Sequence, residues 1–207
     1  MDSDVILPLI MALSVGVGFL ITLIARKKGG SQKEQEFLFH LQGIGIKATP
    51  FNMESEEAKL LGKRSWGDKA ETILTVQDKN MDAIVIIGVS SQYGTNYYIE
   101  YIVKNTKGAI RPDAKKTGMQ VKKSPPLFGK AVNIEWKGDA NLAQRLNFDF
   151  SLKYKLLNEG LNSLKGGIQI IPEPKKGYSR IKTGYEPPSP ELFDVINGIA
   201  KHVKSWA

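Results

Sequence analysis

The chain has 207 residues, with 29 lysines and arginines against 21 aspartates and glutamates, a net charge of +8, and no cysteine. That length suits one ordinary domain with a smaller appendage, and 42% hydrophobic with 24% charged residues is the balance of a folded chain rather than a disordered one. The lack of cysteine excludes a disulfide framework, a thiol nucleophile and a thiolate metal site. With His40 and His202 as the only histidines, neither at ligand spacing from a pair of carboxylates, no metal or other cofactor is expected.

The first element is apolar. Residues 5–25, "VILPLIMALSVGVGFLITLIA", run without a charge, and at 1.5 Å rise per residue they would make about 30 Å of helix, the thickness of a bilayer core. A secretory signal peptide has a basic start and a shorter apolar stretch, whereas this segment opens "MDSD" and is followed by "RKK". The expectation is a retained single-pass anchor with a basic stop over residues 1–28. Asp2 and Asp4 precede the span while Arg26, Lys27, Lys28 and Lys33 follow it, which places the N-terminus outside and the remaining chain in the cytoplasm. Ser14, Gly18 and Thr22 recur every four residues and give the span a low face for a second helix, so a homo-oligomer or a helical partner is expected within the lipid bilayer.

Residues 29–65 read as a linker or stalk with two short helices. Ser31 and Glu34 form a capping box that opens "QKEQEFLFHLQ", which ends at Gly43, and "ESEEAKLLGK" follows. Residues 66–207 read as a soluble α+β domain. Its strands are "AETILTV", "DAIVIIGVS", "TNYYIEYIVK", "GMQVKK" and "KAVNIEWKG", rich in β-branched and aromatic residues and joined by turn-like stretches. Asp139 caps a helix expected to run to about Leu157, with Leu142, Leu146, Phe150, Tyr154 and Leu157 on one face at steps of four or three.

A hairpin follows in "KGGIQIIPEPKKGYSRIKTGYEPP". Ile168, Ile170 and Ile181 should pin it to the core, leaving Tyr178, Arg180 and Lys182 on the outer face and Lys175 and Lys176 at the tip. Ser189 and Pro190 start the last helix, which buries Leu192, Ile196, Ile199 and Val203. The fold class expected is α+β: an N-terminal transmembrane helix, then a mainly antiparallel sheet with two longer amphipathic helices packed on one face.

Motifs for catalysis are incomplete. "GIGIKAT" lacks the third glycine of a dinucleotide loop, and no Gly-x4-Gly-Lys-Ser/Thr occurs. The Ser179-x-x-Lys182 and Lys182-Thr-Gly elements share one lysine, and Gly-x-Ser-x-Gly is missing. Glu100 and Glu135 stand in strands and read as outward-facing residues rather than as a carboxylate pair. No catalytic residue is named, and an enzyme is the less favoured expectation.

Charge says more. Residues 26–207 carry a net +10, and Lys104 to Lys130 alone a net +7. Lys115, Lys116, Lys122 and Lys123 from this block, with Lys175, Lys176, Arg180 and Lys182 from the hairpin, are the candidate contacts to an anionic surface. Each basic residue near an anionic leaflet contributes about 1 kcal/mol. Anionic lipid headgroups and a protein partner are therefore the expected ligands. Nucleic acid is the alternative, since Tyr93, Tyr97, Tyr98, Tyr101, Tyr178 and Tyr185 could stack bases, but no RNA-recognition signature accompanies them. The expected function is a binding or accessory module at the membrane surface, ahead of a tethered nucleic-acid binder and an anchored enzyme.

Overall fold

The computed structural model describes residues 32–62, 68–105, 110–125, 129–160, 164 and 166–206. The apolar run 5–25, with Ser14, Gly18 and Thr22, and the capping residue Ser31 lie outside them. Among the described residues, no helix is long and apolar enough to cross a membrane.

The described chain is an α+β fold with one sheet of eight strands and five helices. In chain order these are α1 (32–43), β1 (Ala48–Pro50), α2 (Glu56–Gly62), β2 (Asp68–Val76), β3 (Ala83–Ser91), β4 (Gly94–Lys104), β5 (Thr117–Ser124), β6 (Lys130–Lys137), α3 (Ala140–Phe148), α4 (Phe150–Lys155, prolonged by a π turn Leu156–Gly160), β7 (Gln169–Glu173), β8 (Tyr178–Gly184) and α5 (Pro190–Lys204). The strand order is β1-β2-β3-β4-β8-β7-β5-β6, and every pairing is antiparallel. The β7–β8 hairpin is thus inserted beside β4, with Glu100 opposite Lys182 and Ile102 opposite Arg180.

Alternation along the strands makes two faces. On the helix face, Leu74, Ile84, Ile86, Ile99, Tyr101, Trp136, Ile170 and Ile181 pack with Phe37 and Leu41 of α1, Leu142 and Leu146 of α3, and the stripe of α5. The opposite face carries a smaller core in which Ile73, Val85, Ile87, Tyr98, Ile102 and Tyr178 meet Ala58 and Leu61 of α2. Residues Ala83 to Ile87 are therefore buried continuously, as expected of a central strand covered on both sides.

The last helix has the expected form. Ser189 Oγ accepts the Leu192 N–H, Pro190 occupies the first turn, and Leu192, Ile196, Ile199 and Val203 are buried. Three expectations need correction. The helix from Asp139 breaks at Asp149, whose backbone leaves the helical region (φ −82°, ψ 86°) and whose carboxylate caps a new helix by accepting the Leu152 N–H. The break resets the phase, so Leu152 and Leu156 are buried while Phe150 and Tyr154 are 73% and 68% exposed.

Tyr178 is not on an outer surface either. It is 2% exposed, because α2 and its neighbours cover that end of β8. Glu100 is likewise fully buried rather than outward-facing. Within the stretch 29–65, read as a linker or stalk with short helices, the described residues 32–62 hold α1 and α2, contribute Phe37, Leu41, Ile46, Ala48, Ala58 and Leu61 to the two cores and add β1 to the sheet edge. Ile46 and Ala48 supply the apolar alternation for that strand, which ends at Pro50.

Candidate functional site

Register divides the sheet into two ends. Gly94 opens β4, Tyr98 of β4 pairs Gly184 at the end of β8, and β5 leaves Ile170 of β7 at Thr117 to run toward Ser124, which pairs Lys130 at the start of β6. Gly94, Gly184, Ser124 and Lys130 therefore share one end, while Lys104, Glu173 and Tyr178 share the other. Helix α1 starts at the first end, since Lys33 Nζ lies 3.5 Å from the centroid of the Tyr97 ring. Tyr185 stacks obliquely on Tyr97, with centroids 5.5 Å apart. Tyr93, at the tip of the β3–β4 hairpin, is 91% exposed at this end.

The eight basic residues singled out in the sequence do not form one patch. Lys116, Lys122, Arg180 and Lys182 point to the sheet face opposite the large core, by the two-residue alternation that pairs Gly118 with Gln169 and Gln169 with Lys182. Lys123 points the other way. Lys175 and Lys176 occupy the 3-10 turn between β7 and β8 at the far end. Lys115 lies beside α3, where its backbone N–H approaches Asp139 Oδ2 at 3.5 Å.

On the open face, Arg180 lies between two carboxylates. Its Nη1 donates to Glu100 Oε1 at 2.7 Å, its Nη2 bonds Glu173, and Lys176 stands 4.0 Å from Glu173. Burial opposes the charge on Arg180, but the two carboxylates outweigh it and hold the guanidinium above its ordinary pKa. Lys182 lies next in the row, its Nζ 3.5 Å from the centroid of Tyr98, whose hydroxyl donates to Asp68 at 2.9 Å. Burial pushes the Lys182 ammonium below its ordinary pKa despite Glu100 and Asp68 nearby. Lys122 bonds Glu135 at 2.9 Å, and this contact holds the Glu135 carboxyl below the usual range. Glu100 and Glu135 are separated by β8, β7 and β5, and form no catalytic dyad.

Two further acids serve the architecture. Asp139 accepts from the Asn141 and Leu142 N–H groups, from Trp206 Nε1 at 3.1 Å and from Arg111 Nη2 at 2.8 Å, which ties the chain's last aromatic residue to the start of α3. Gly138 before it has φ +139°, and a Cβ there would fall 2.0 Å from the Lys116 carbonyl, so no side chain fits this approach. Asp149 Oδ2 lies 2.7 Å from His202 Nε2 and joins α4 to α5. Ser205 bonds Arg145 and the helix carbonyls of Lys201 and His202, so these three groups do not form a nucleophilic triad. No group of three metal-capable side chains occurs among the described residues.

The tyrosines also scatter. Tyr98, Tyr101 and Tyr178 are buried, on different faces, and do not make a stacking platform with Tyr93, Tyr97 and Tyr185. Sequence reasoning missed Glu173 as the second partner of Arg180, and used Lys33 only as a charge that orients the span rather than as a partner of Tyr97. Both are visible only once hairpin register and the seat of α1 are known. Comparison with protein-family models, with curated proteins and with solved structures gives no match. The class defined is an antiparallel α+β domain with one face covered by helices and the other partly open and ionic.

Proposed function

We propose that the chain is a single-pass membrane protein whose α+β domain is a binding module held at the cytoplasmic surface of the bilayer, with the N-terminus outside. The observation that carries this reading is the seat of α1. Its first described residue, Gln32, follows the apolar run after only six residues, 26–31. Seven peptide steps span at most about 25 Å, so the end of the sheet where α1 starts stays close to the bilayer. That end displays Tyr93 and the Tyr97–Tyr185 pair, and tyrosine suits the headgroup layer because its ring is apolar and its hydroxyl polar. The open face, with Lys116, Lys122 and Lys182, is left for an acidic protein surface.

The test is topology. The full chain with a C-terminal tag should remain in membranes after carbonate washing. The tag should be shielded from protease in intact cells and cleaved in inside-out vesicles. Cleavage of the tag from outside, or release by carbonate, would overturn the reading.

A further inference from the structure

A cleft of about 690 Å³ opens on the helix face between β5, the start of β6 and the π turn that ends α4. Met119, Val121, Leu157 and Leu164 give it apolar walls, and Lys123 and Lys130 stand on its strand side. Its size falls in the range of small-ligand pockets. We propose that this cleft takes an acyl chain of an anionic phospholipid from the adjoining leaflet, with Lys123 and Lys130 holding the lipid phosphate. The proposal rests on the membrane reading above and names the lipid class that this end of the domain selects.

Three observations point to that occupant. The cleft joins an apolar wall to two cations and has no acidic side chain among its described lining residues, which complements an amphiphile with an anionic head. Lys123 and Lys130 make no ion pair among the described residues, in contrast to Lys122 next door, whose side chain bonds Glu135 on the other face. The cleft also lies at the end of the sheet where α1 starts, because Ser124 and Lys130 pair there.

The surroundings agree. Val132, beside Ala131 of the cleft, is 56% exposed, and Phe150 and Tyr154 stand exposed on the helix that leads into Leu157. Exposed apolar side chains beside a cationic cleft suit insertion at a bilayer surface. A nucleic acid would find no aromatic side chain among the described lining residues to stack on, and a soluble anion would leave the apolar walls unused. Met119 can adapt to a flexible chain.

The experiment uses the full chain in nanodiscs containing phosphatidylglycerol or phosphatidylcholine with a diazirine in one acyl chain, and maps the label by mass spectrometry. Labelling of Met119, Leu157 or Leu164 should be roughly thirtyfold stronger from phosphatidylglycerol, the effect of two basic residues at an anionic surface. Lys123→Gln with Lys130→Gln should abolish that preference, Leu157→Trp should block the label, and Lys175→Gln with Lys176→Gln should change neither. Matching thermal unfolding of the variants would show that the fold is kept.

Equal labelling by the two lipids, or label that survives the Lys123 and Lys130 changes, would overturn the proposal. So would competition by free glycerol phosphate, which would make this a soluble-anion site, or cross-linking of residues 5–25 into the cleft, which would make the chain its own occupant. Release by carbonate with cleft labelling intact would sink the membrane reading and leave the cleft. Integral behaviour with an unlabelled cleft would do the reverse.

Discussion

Strand β4 shows both faces of the sheet within one turn of its pleat. Ile99, Tyr101 and Val103 meet the helices, while Tyr98, Glu100 and Ile102 meet α2 and the ionic row. Both sets are buried, yet they treat polar atoms differently. On the helix face, Thr72 Oγ1, Tyr101 OH and Trp136 Nε1 are buried with no hydrogen-bond partner among the described residues. On the opposite face, Arg180 Nε is likewise without a partner among the described residues, but the buried charge, the Glu100 carboxylate, is bonded by Arg180 Nη1. A neutral hydroxyl shut from water costs about 1–3 kcal/mol. An unpaired buried charge costs several. The helix face can carry idle polar atoms on the strength of its apolar packing, whereas the open face depends on its pairing.

The largest effect should come from the helix face. Trp136→Ala or Ile181→Ala, each removing a side chain at 1% exposure or less, should cost about 3–5 kcal/mol in urea unfolding, because the helices cannot collapse fully into the space. Next comes Glu100→Gln, at roughly 3 kcal/mol, since it removes the carboxylate from a largely buried guanidinium. The companion variant, Glu100→Leu with Arg180→Met, should recover most of that loss. A neutral Glu100→Gln would break the contrast between the faces, and a double variant no better than the single would show that Glu173 or the shape of the pair carries the stability.

These contrasts were partly legible. The apolar run Ala83–Ile87 marks a strand covered on both sides, and period two assigns Lys122 and Lys123 to opposite faces once β5 is recognised. Two features were hidden. The helical period continues through Asp149, so nothing local announces the break. What resets the phase is a carboxylate used both by the Leu152 N–H and by His202, 53 residues away. Glu100 also looked solvent-facing, because its burial depends on β8 lying beside β4 and bringing Arg180, 80 residues on. Composition counts lysines but does not divide them between two faces and two ends.

Asp139 asks whether the pairing or the face decides. It lies at the top of the helix side but is fully partnered, so Asp139→Ala should cost about 2 kcal/mol by removing a cap and the contacts to Arg111 and Trp206. Burial works to raise its pKa, but the Leu142 and Lys115 N–H groups, Trp206 and Arg111 prevail and hold it below the usual carboxylate range. Asp149 is lowered in the same way, with His202 and the Leu152 N–H overcoming burial. For a carboxyl depressed on folding, the unfolded chain takes up protons first as pH falls. The stabilisation is therefore present above about pH 4 and is lost below it as the folded groups titrate. Thermal unfolding between pH 6 and pH 3 should show that decline, and Asp139→Ala should make it shallower. An unchanged slope would mean that other acids govern it.

The smallest expected effect is the sharpest test of the contrast. Burial pushes the Tyr101 hydroxyl above its ordinary pKa, with the neighbouring Thr183 side chain, the group nearest to a hydrogen-bond partner for it, acting the other way, and the ring is fully enclosed between strands and helices. Tyr101→Phe keeps the ring and removes only the oxygen. If that oxygen is an idle passenger, the protein should lose less than about 0.5 kcal/mol or gain slightly, since removing an unsatisfied buried group relieves its desolvation. Glu100→Gln is a similarly small change at the neighbouring position of the same strand, yet it should cost several times more. A loss of about 1.5 kcal/mol or more in Tyr101→Phe would give the hydroxyl a bonded partner, and both faces would then rely on polar pairing.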